Sequence, residues 1–251
     1  MRFLRVPTGG VPLKQSISAG TMASIVEMLK DPDARLVGRP EGLLPRSSAL
    51  IKERRPEPLN LQTLVQAGRV FGPVVPVAFL NPLIVYRSAA ILVAERGASV
   101  AFATYREGVD LGPSVGLGGI RRKLAAASKG IVQKVLIKAT RLPLAVRKGL
   151  AKLLERFLPA PGSGPSGRYL TDWQWEVEAT ATATDGSTSS SLLAGGGHPC
   201  YTATASIIAE VALHMASRKR SESRSGCLTP ALVMGGDLGE QQMRMPSLRL
   251  R

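Results

Sequence analysis

Apolar and polar residues alternate most regularly over residues 172–184, and this pattern predicts a β-strand. Trp173 and Trp175 fall on one face of the strand, whereas Glu176 and Glu178 fall on the other. Such alternation is typical of a sheet that is covered on one face and solvated on the other. Two neighbouring carboxylates are compatible with a catalytic pair, but a solvated face usually carries such charges.

A second pattern, over residues 198–216, predicts an α-helix from about 202 to 216. Three glycines at 195–197 and Pro199 come just before it, where a close approach of the backbone is easiest. Apolar residues recur in the helix at steps of four and three, and we expect them to form one buried stripe: Tyr201, Ala205, Ile208, Ala212 and Met215.

Caps, breakers and shorter apolar runs predict the remaining elements. Ser18 or Thr21 can cap a helix from about 20 to 30. Pro143 divides a basic segment, residues 121–157, into two helical pieces. Further helices are predicted over 60–69 and 83–95, a buried loop over 70–83 and a strand over 99–106.

Helices and strands of these kinds together predict an α+β fold, with a mixed or antiparallel sheet and helices packed on one face. A chain of 251 residues suits one or two domains. Composition divides it into the start of a domain with a capped helix (1–30), a connection rich in proline and charge (31–60), an α+β domain that includes the basic segment (60–235) and a flexible tail (236–251).

Residues 121–157 hold eleven Lys or Arg against one acid, and so ten of the fifteen net positive charges of the chain. Three interpretations are open: a core-facing helix with a solvated basic back, a helix lying in an anionic membrane surface, or a nucleic-acid surface. The third is disfavoured because few aromatic residues interleave the charges. The basic residues of a membrane surface would be Arg121, Arg122, Lys123, Lys134, Lys138, Arg147, Lys148, Lys152 and Arg156.

The rest of the composition argues against several classes of protein. Cys200 and Cys227 are too few for a disulfide scaffold, and with two histidines they form no metal-ligand cluster, so no metal is expected. The sequence shows neither a signal peptide nor an apolar run long enough for a membrane span. His198 lies close to Cys200, which would allow a nucleophilic thiol, although no third, orienting group follows from the sequence.

Four short segments carry a further signal, and they follow one another in order. They are SAGTMAS at 18–24, NPLIVYRS at 81–88, LPAPGSGPS at 158–166, and GHPCYTATASIIAEVAL at 197–213, which Leu-Thr-Pro-Ala follows at 228–231. Together they resemble the saccharopine-dehydrogenase-like oxidoreductases, the group that includes the trans-acting enoyl reductases. Two positions depart from the pattern of that group, since His198 replaces an acid and Cys200 replaces a glycine.

The resemblance implies an NAD(P)-dependent oxidoreductase of enoyl-reductase type, active in lipid metabolism, of which this chain is the C-terminal part. Residues 60–235 would then be a substrate- or dimerisation-type domain, and residues 236–251 a divergent tail. The N-terminal Rossmann domain of the family is expected to be absent, since no unit of strand, glycine-rich turn and helix of the dinucleotide-binding kind is found in the sequence. NAD(P) is therefore expected in the full-length family, and none bound by this chain alone. The alternative is a catalytically incomplete module for a lipid surface or for dimerisation.

The resemblance also implies a cleft that faces substrate and cofactor, although it assigns no catalytic residue. Expected partners are an anionic membrane or lipid-droplet surface and a second copy or full-length relative, but no nucleic acid. The chain is then cytoplasmic and peripheral to a membrane or lipid surface. The residues of the cleft would be Ser18, Gly20, Thr21, Arg87, Ser88 and Tyr201.

Overall fold

The computed structural model describes residues 1–8, 11–12, 15–39, 41–44, 61–74, 78–96, 104–217, 226–234 and 248–250. The strands are β1 (Arg2–Arg5), β2 (Leu64–Gln66), β3 (Arg69–Gly72), β4 (Val109–Pro113), β5 (Gln174–Thr182), β6 (Thr188–Gly196) and β7 (Leu248–Leu250). The α-helices are α1 (Ala19–Met28), α2 (Asn81–Arg96), α3 (Gly116–Ala139), α4 (Leu144–Glu155), α5 (Arg168–Thr171), α6 (Thr204–Ser217) and α7 (Pro230–Met234). The fold is α+β, as predicted.

The chain divides into two compact units. The terminal unit consists of residues 1–18 and 164–251, and its strands follow the order β1-β5-β6-β7. The central unit consists of residues 19–163, and its strands follow the order β2-β3-β4. Neighbouring strands within each unit pair antiparallel.

Two tryptophans form the core of the terminal unit. Trp173 and Trp175 are buried with Ala203, and Phe3 packs against them. The predicted strand is confirmed as β5, which pairs with β6 along its whole length. Gly195 is required opposite Trp175, because a Cβ at 195 would lie 2.3 Å from the indole Cζ2. These contacts fix the register of the β5–β6 hairpin.

The outer half of the β5–β6 hairpin is exposed on both faces. Every residue of 178–182 and of 188–191 is exposed, so the predicted burial of one face holds only near the tryptophans. The neighbouring strands explain this, since β1 pairs with residues 174–176 and β7 with residues 193–195. Beyond these short partners the sheet narrows to two strands.

Helix α6 confirms the predicted helix, but the predicted buried stripe is wrong. Ile208 and Met215 are 61% and 52% exposed, and Ala205 and Ala212 are exposed as well. A π-helical turn, Pro199–Ala203, precedes the helix and holds more residues per turn than an α-helix. Because of this turn, α6 is rotated about its axis relative to a regular α-helix that would continue from Tyr201. The inward positions are Ala203, Ile207, Val211 and His214.

A hairpin replaces the helix predicted over 60–69, and that prediction is wrong. Strands β2 and β3 pair from Leu64 with Phe71 to Gln66 with Arg69, which leaves a two-residue turn. Ala67 and Gly68 in this turn have φ angles of +48° and +71°, as two-residue hairpin turns of type I′ require. The first residues of the buried loop predicted over 70–83 therefore belong to a strand, β3.

Helices α1 and α2 confirm the helices predicted over 20–30 and 83–95. Pro143 separates α3 from α4, as expected. Helix α3 packs on β3 and β4 through a narrow inner stripe that begins with three small residues and ends with two larger ones. Close approach needs glycine at 130, where a Cβ would lie 2.2 Å from the Leu61 carbonyl oxygen. The inner stripe consists of Gly119, Ala126, Gly130, Gln133 and Ile137.

Arg147 does not belong to a basic surface, which corrects the prediction from the sequence. The residue is 4% exposed, and its guanidinium donates to the carbonyls of Leu29 at 3.2 Å and Asp31 at 2.6 Å. Its Nε donates to the Leu142 carbonyl at 3.0 Å. The carbonyls of Leu29 and Asp31 follow the end of α1, where the helix dipole favours a cation.

Three predictions fall largely on residues outside the described ranges. Residues 99–103 of the predicted strand 99–106 lie outside them, as do residues 45–60 of the predicted connection. The same holds for residues 235–247 and 251 of the predicted tail.

Candidate functional site

In the terminal unit, a buried histidine lies at the start of the turn that leads into α6. Gly197, with φ of +78°, turns the chain out of β6, and the His198 amide then donates to the Leu170 carbonyl at 2.7 Å. The imidazole is packed between two rings, each with its centroid 4.8 Å away: those of Trp173 and Tyr201. We call His198, Trp173, Tyr201 and Ser18 the His198 cluster.

Three of the four segments that carry the resemblance meet in this cluster. The Tyr201 hydroxyl accepts a hydrogen bond of 2.5 Å from the Ser18 amide. Gly164 packs on Ser18 so closely that a Cβ at 164 would lie 3.0 Å from the Ser18 Cβ. Two residues later, the Ser166 amide donates to the Gln15 side chain. One end of each of two segments, Ser18 and residues 164–166, therefore lies beside Tyr201 or its neighbours within the terminal unit.

The charge state of the cluster follows from its burial. His198 is 3% exposed, and desolvation lowers the pKa of its imidazole. Nδ1 accepts from the Cys200 amide at 3.2 Å, so the proton of the neutral ring lies on Nε2. Desolvation raises the pKa of the Cys200 thiol. A neutral imidazole that caps a backbone amide beside a protonated thiol does not make a nucleophilic pair.

We expect the substitution His198→Asn to flatten the pH dependence of stability in acid. Folding disfavours the charged imidazole, so the free energy of unfolding should fall as pH drops below 6.5, the unperturbed pKa, until the folded-state pKa is passed. Asparagine does not titrate there and can still cap the Cys200 amide. Urea unfolding from about pH 8 to 5 tests this. Equal slopes for both proteins below pH 6.5 would exclude His198 as the source.

A second polar cluster lies in the central unit around Glu107. Its Oε2 accepts two hydrogen bonds, one of 2.8 Å from Asn81 Nδ2 and one of 2.9 Å from the Tyr105 hydroxyl. The Tyr105 amide in turn donates to the Tyr86 hydroxyl at 3.0 Å. Helix α2 thus holds the segment before β4 through Asn81 and Tyr86. We call these four residues the Glu107 cluster.

The second oxygen of Glu107 is buried and has no hydrogen-bond partner. Burial raises the pKa of this carboxyl, against the opposing effect of the bonds from Asn81 and Tyr105. Burial also raises the pKa of the Tyr105 hydroxyl. Because Oε2 already accepts two bonds, a proton on the neutral acid would be carried by Oε1. In its protonated state, the carboxyl would therefore present its O–H at the buried Oε1.

The structure distributes the predicted cleft residues over both units. In the terminal unit it joins Ser18 and Tyr201. In the central unit Gly20 and Thr21 lie in the first turn of α1, while Arg87 and Ser88 lie on α2. Arg87 donates to the Leu43 carbonyl at 3.0 Å, and the Ser88 hydroxyl bonds to the Ile84 carbonyl. Nothing in the sequence indicated Tyr105 or Glu107 as site residues, although Asn81 begins one of the four motif segments.

The acidic pair on β5 lies where the solvated-face interpretation places it. Glu178 is exposed and Glu176 is half-buried, and both line a shallow groove with Ser190 and Ser191 of the paired strand. Among the described residues, no hydrogen bond links the two carboxylates. The groove is open to solvent, unlike the Glu107 cluster.

Most of the predicted membrane-surface residues are exposed. The exceptions are Arg147, which is buried, and Arg122, which is half-buried and donates to the Pro113 carbonyl at 3.1 Å. None of the described helices is long and apolar enough to span a membrane. The exposed residues are Arg121, Lys123, Lys134, Lys138, Lys148, Lys152 and Arg156.

Comparison with known proteins finds two curated relatives in Mycobacterium tuberculosis, from strains H37Rv and CDC 1551. Each is 29% identical to this chain over 244 residues, and each is provisionally named a trans-acting enoyl reductase. The match covers 91% of this chain and 54% of each relative, so the chain spans about half the length of the curated relatives it matches. No family model and no solved structure matches the chain.

Proposed function

We propose that this chain is part of an NAD(P)-dependent oxidoreductase of the enoyl-reductase type, related to the saccharopine-dehydrogenase-like enzymes. The observation that carries the proposal is the similarity to the mycobacterial relatives over nine tenths of the chain. The meeting of three motif segments in the His198 cluster supports it, because these segments are far apart in sequence. The substrate class is a lipid-linked carbon–carbon double bond conjugated to a carbonyl.

The glycine-rich turn before α3 does not fit a dinucleotide. The strand, turn and helix formed by β4, residues 114–115 and α3 are glycine-rich, but β4 pairs antiparallel with β3, whereas a nucleotide-binding unit has parallel strands. The Arg122 side chain also covers this turn, since a Cβ on Gly112 or Gly118 would lie within about 3 Å of it. We therefore assign no cofactor-binding residue and propose that this chain supplies the substrate side.

Reduction of a conjugated double bond needs a hydride at one carbon and a proton at the other. Among the described groups, we assign this proton to the Glu107 cluster, because burial raises the pKa of its carboxyl and so favours the protonated acid. Oε1 is free of partners and would carry that proton. Asn81 and Tyr105 fix the carboxyl through Oε2 and so orient Oε1. In this proposal Glu107 is the proton donor, and Asn81 and Tyr105 are positioning residues.

A chimera tests the proposal. This chain replaces the matching half of the mycobacterial relative, which supplies the rest, and oxidation of NADPH is followed with a panel of α,β-unsaturated acyl thioesters. We expect acceptor-dependent oxidation. The isolated chain should show no saturable NADPH binding in the low micromolar range. A folded chimera that binds NADPH but reduces no acceptor in the panel would contradict the proposed reaction.

The substitution Glu107→Gln separates the role of the proton donor from that of the fold. In the chimera it should lower kcat about 100-fold or more, the usual loss with a general acid, while NADPH affinity and thermal unfolding stay unchanged. The matched control is Glu178→Gln, which changes an exposed carboxyl and should leave kcat unaltered. An unchanged kcat with Glu107→Gln would remove Glu107 from the reaction and leave the reductase proposal standing.

A further inference from the structure

Helix α3 has two apolar stripes on opposite sides. The inner stripe packs on the sheet of the central unit, as described above. The outer stripe is solvent-exposed, although it consists of large aliphatic side chains. Its five members are between 55% and 78% exposed: Leu117, Ile120, Leu124, Ile131 and Val135.

The outer stripe is continuous along the helix. Its members follow one another at steps of three, four, seven and four residues, which places them within an arc of about 60°. Ala127 and Ser128 occupy the gap in the longest step and are exposed as well. Five aligned aliphatic side chains on a 24-residue helix form an exposed apolar patch, which marks a docking surface rather than scattered surface residues.

The charges beside the stripe all have one sign. Lys123, Lys134 and Lys138 lie on one side of it and Arg121 on the other, and all four are exposed. Helix α3 contains no acidic residue at all. Its exposed cations therefore have no counter-charge within the helix, and the surface as a whole is complementary to an anionic one.

Helix α4 adds a second surface of the same composition in the central unit. Val146 and Leu153 are about half exposed, and Phe157, just beyond the helix, is 75% exposed. Lys148 and Lys152 on α4 are exposed too. The one acid of this region, Glu155, forms an ion pair with Lys30 and so does not offset these charges.

We propose that the outer stripe of α3 docks on the surface of an anionic lipid bilayer, with the helix axis parallel to the membrane. The aliphatic side chains enter the boundary between headgroups and acyl chains, while the flanking lysines and arginines contact acidic headgroups. The helix lies on the membrane and does not cross it, in agreement with its composition. This inference is independent of the proposed enzymatic function.

Vesicle flotation with the full chain tests the proposal. We expect binding to vesicles that contain phosphatidylglycerol and little binding to pure phosphatidylcholine vesicles. Binding should weaken as salt rises, because exposed charges are screened within about 10 Å at 0.1 M salt. Absence of binding to the acidic vesicles, or equal binding to both compositions, would overturn the proposal.

Two variants locate the surface. Replacing Lys123, Lys134 and Lys138 together by Gln should lower the partition coefficient about 100-fold, because each basic residue contributes roughly fivefold near an anionic leaflet. The matched control removes the same net charge elsewhere, by changing the exposed Arg5, Arg35 and Arg39 to Gln, and should lower binding far less. Equal losses in the two triple variants would show that net charge alone drives binding, and would overturn the α3 surface.

A further variant tests the aliphatic side chains of the outer stripe. Changing Ile120, Leu124 and Ile131 together to Ser should reduce binding at least tenfold, with thermal unfolding unchanged because these side chains lie outside the core. Size-exclusion chromatography with light scattering of the parent chain and the serine variant tests whether a second copy of this chain covers the stripe instead. A dimer that the serine variant dissociates, together with no vesicle binding by the parent chain, would show that a second copy covers the stripe and would overturn the proposal.

Discussion

The substitution Arg147→Met should lower the free energy of unfolding of the isolated chain by about 3 kcal/mol or more. Arg147 is 4% exposed, and its guanidinium donates to three backbone carbonyls, two just after α1 and one before α4. Methionine fills much of the same volume but donates nothing, so buried carbonyl oxygens lose their hydrogen bonds. Each such loss costs roughly 1–3 kcal/mol.

Lys148→Met is the matched control for this prediction. Lys148 is the next residue on the same helix and is exposed, so its loss should change stability by less than about 0.5 kcal/mol. Urea unfolding followed by circular dichroism measures both variants. Equal effects of the two substitutions would contradict a structural role for Arg147 and would indicate that its side chain belongs to the exposed basic surface.

Arg147 shows what a charge pattern cannot reveal. In the sequence it is one of eleven cations in a basic segment and is indistinguishable from Lys148. Its burial depends on the carbonyls of Leu29 and Asp31, more than 110 positions away in the chain. Periodicity reports which residue types share a helix face, but it does not report which backbone groups another segment leaves unpaired.

The same limit applies to the faces of α3 and α6. Both helices were predicted, because long apolar periods and breakers such as Pro143 are local signals. The inward face of α6 was wrong because the π-helical turn at Pro199–Ala203 shifts its phase. In α3 three of the five residues on the packed face are Gly or Ala, whereas five large aliphatic residues face solvent. Hydrophobicity alone would therefore predict burial of the wrong side of this helix.

The candidate site was predicted in part. The motif segments identified the region of Ser18 and Tyr201, and the structure joins these two residues by a hydrogen bond. Glu107 gave no signal, since its neighbours in sequence form no motif and its environment arises from the packing of α2 against residues 105–107. A buried acid is recognised from its surroundings, which the sequence does not contain.

Two glycines in neighbouring helices should respond to alanine with opposite sign. Gly→Ala in a helix normally stabilises a protein by about 0.5–1 kcal/mol, because alanine has the higher helix propensity. Gly149, in α4, has open space where a Cβ would lie, so Gly149→Ala should give this increase. Gly130, in α3, has the Leu61 carbonyl oxygen 2.2 Å from that position. Gly130→Ala should therefore destabilise by about 2–3 kcal/mol.

The opposite signs test the packing of α3, because propensity predicts the same sign for both substitutions. At 130 the obstacle is backbone, so relief requires α3 to move away from the segment that precedes β2 and to loosen the inner stripe. Thermal and urea unfolding of the two single variants and of the double variant measure the effects. The double variant should equal the sum of the two, since the sites lie in different helices and share no described contact. An increase in stability with Gly130→Ala would mean that α3 packs further from residue 61 than the structure places it.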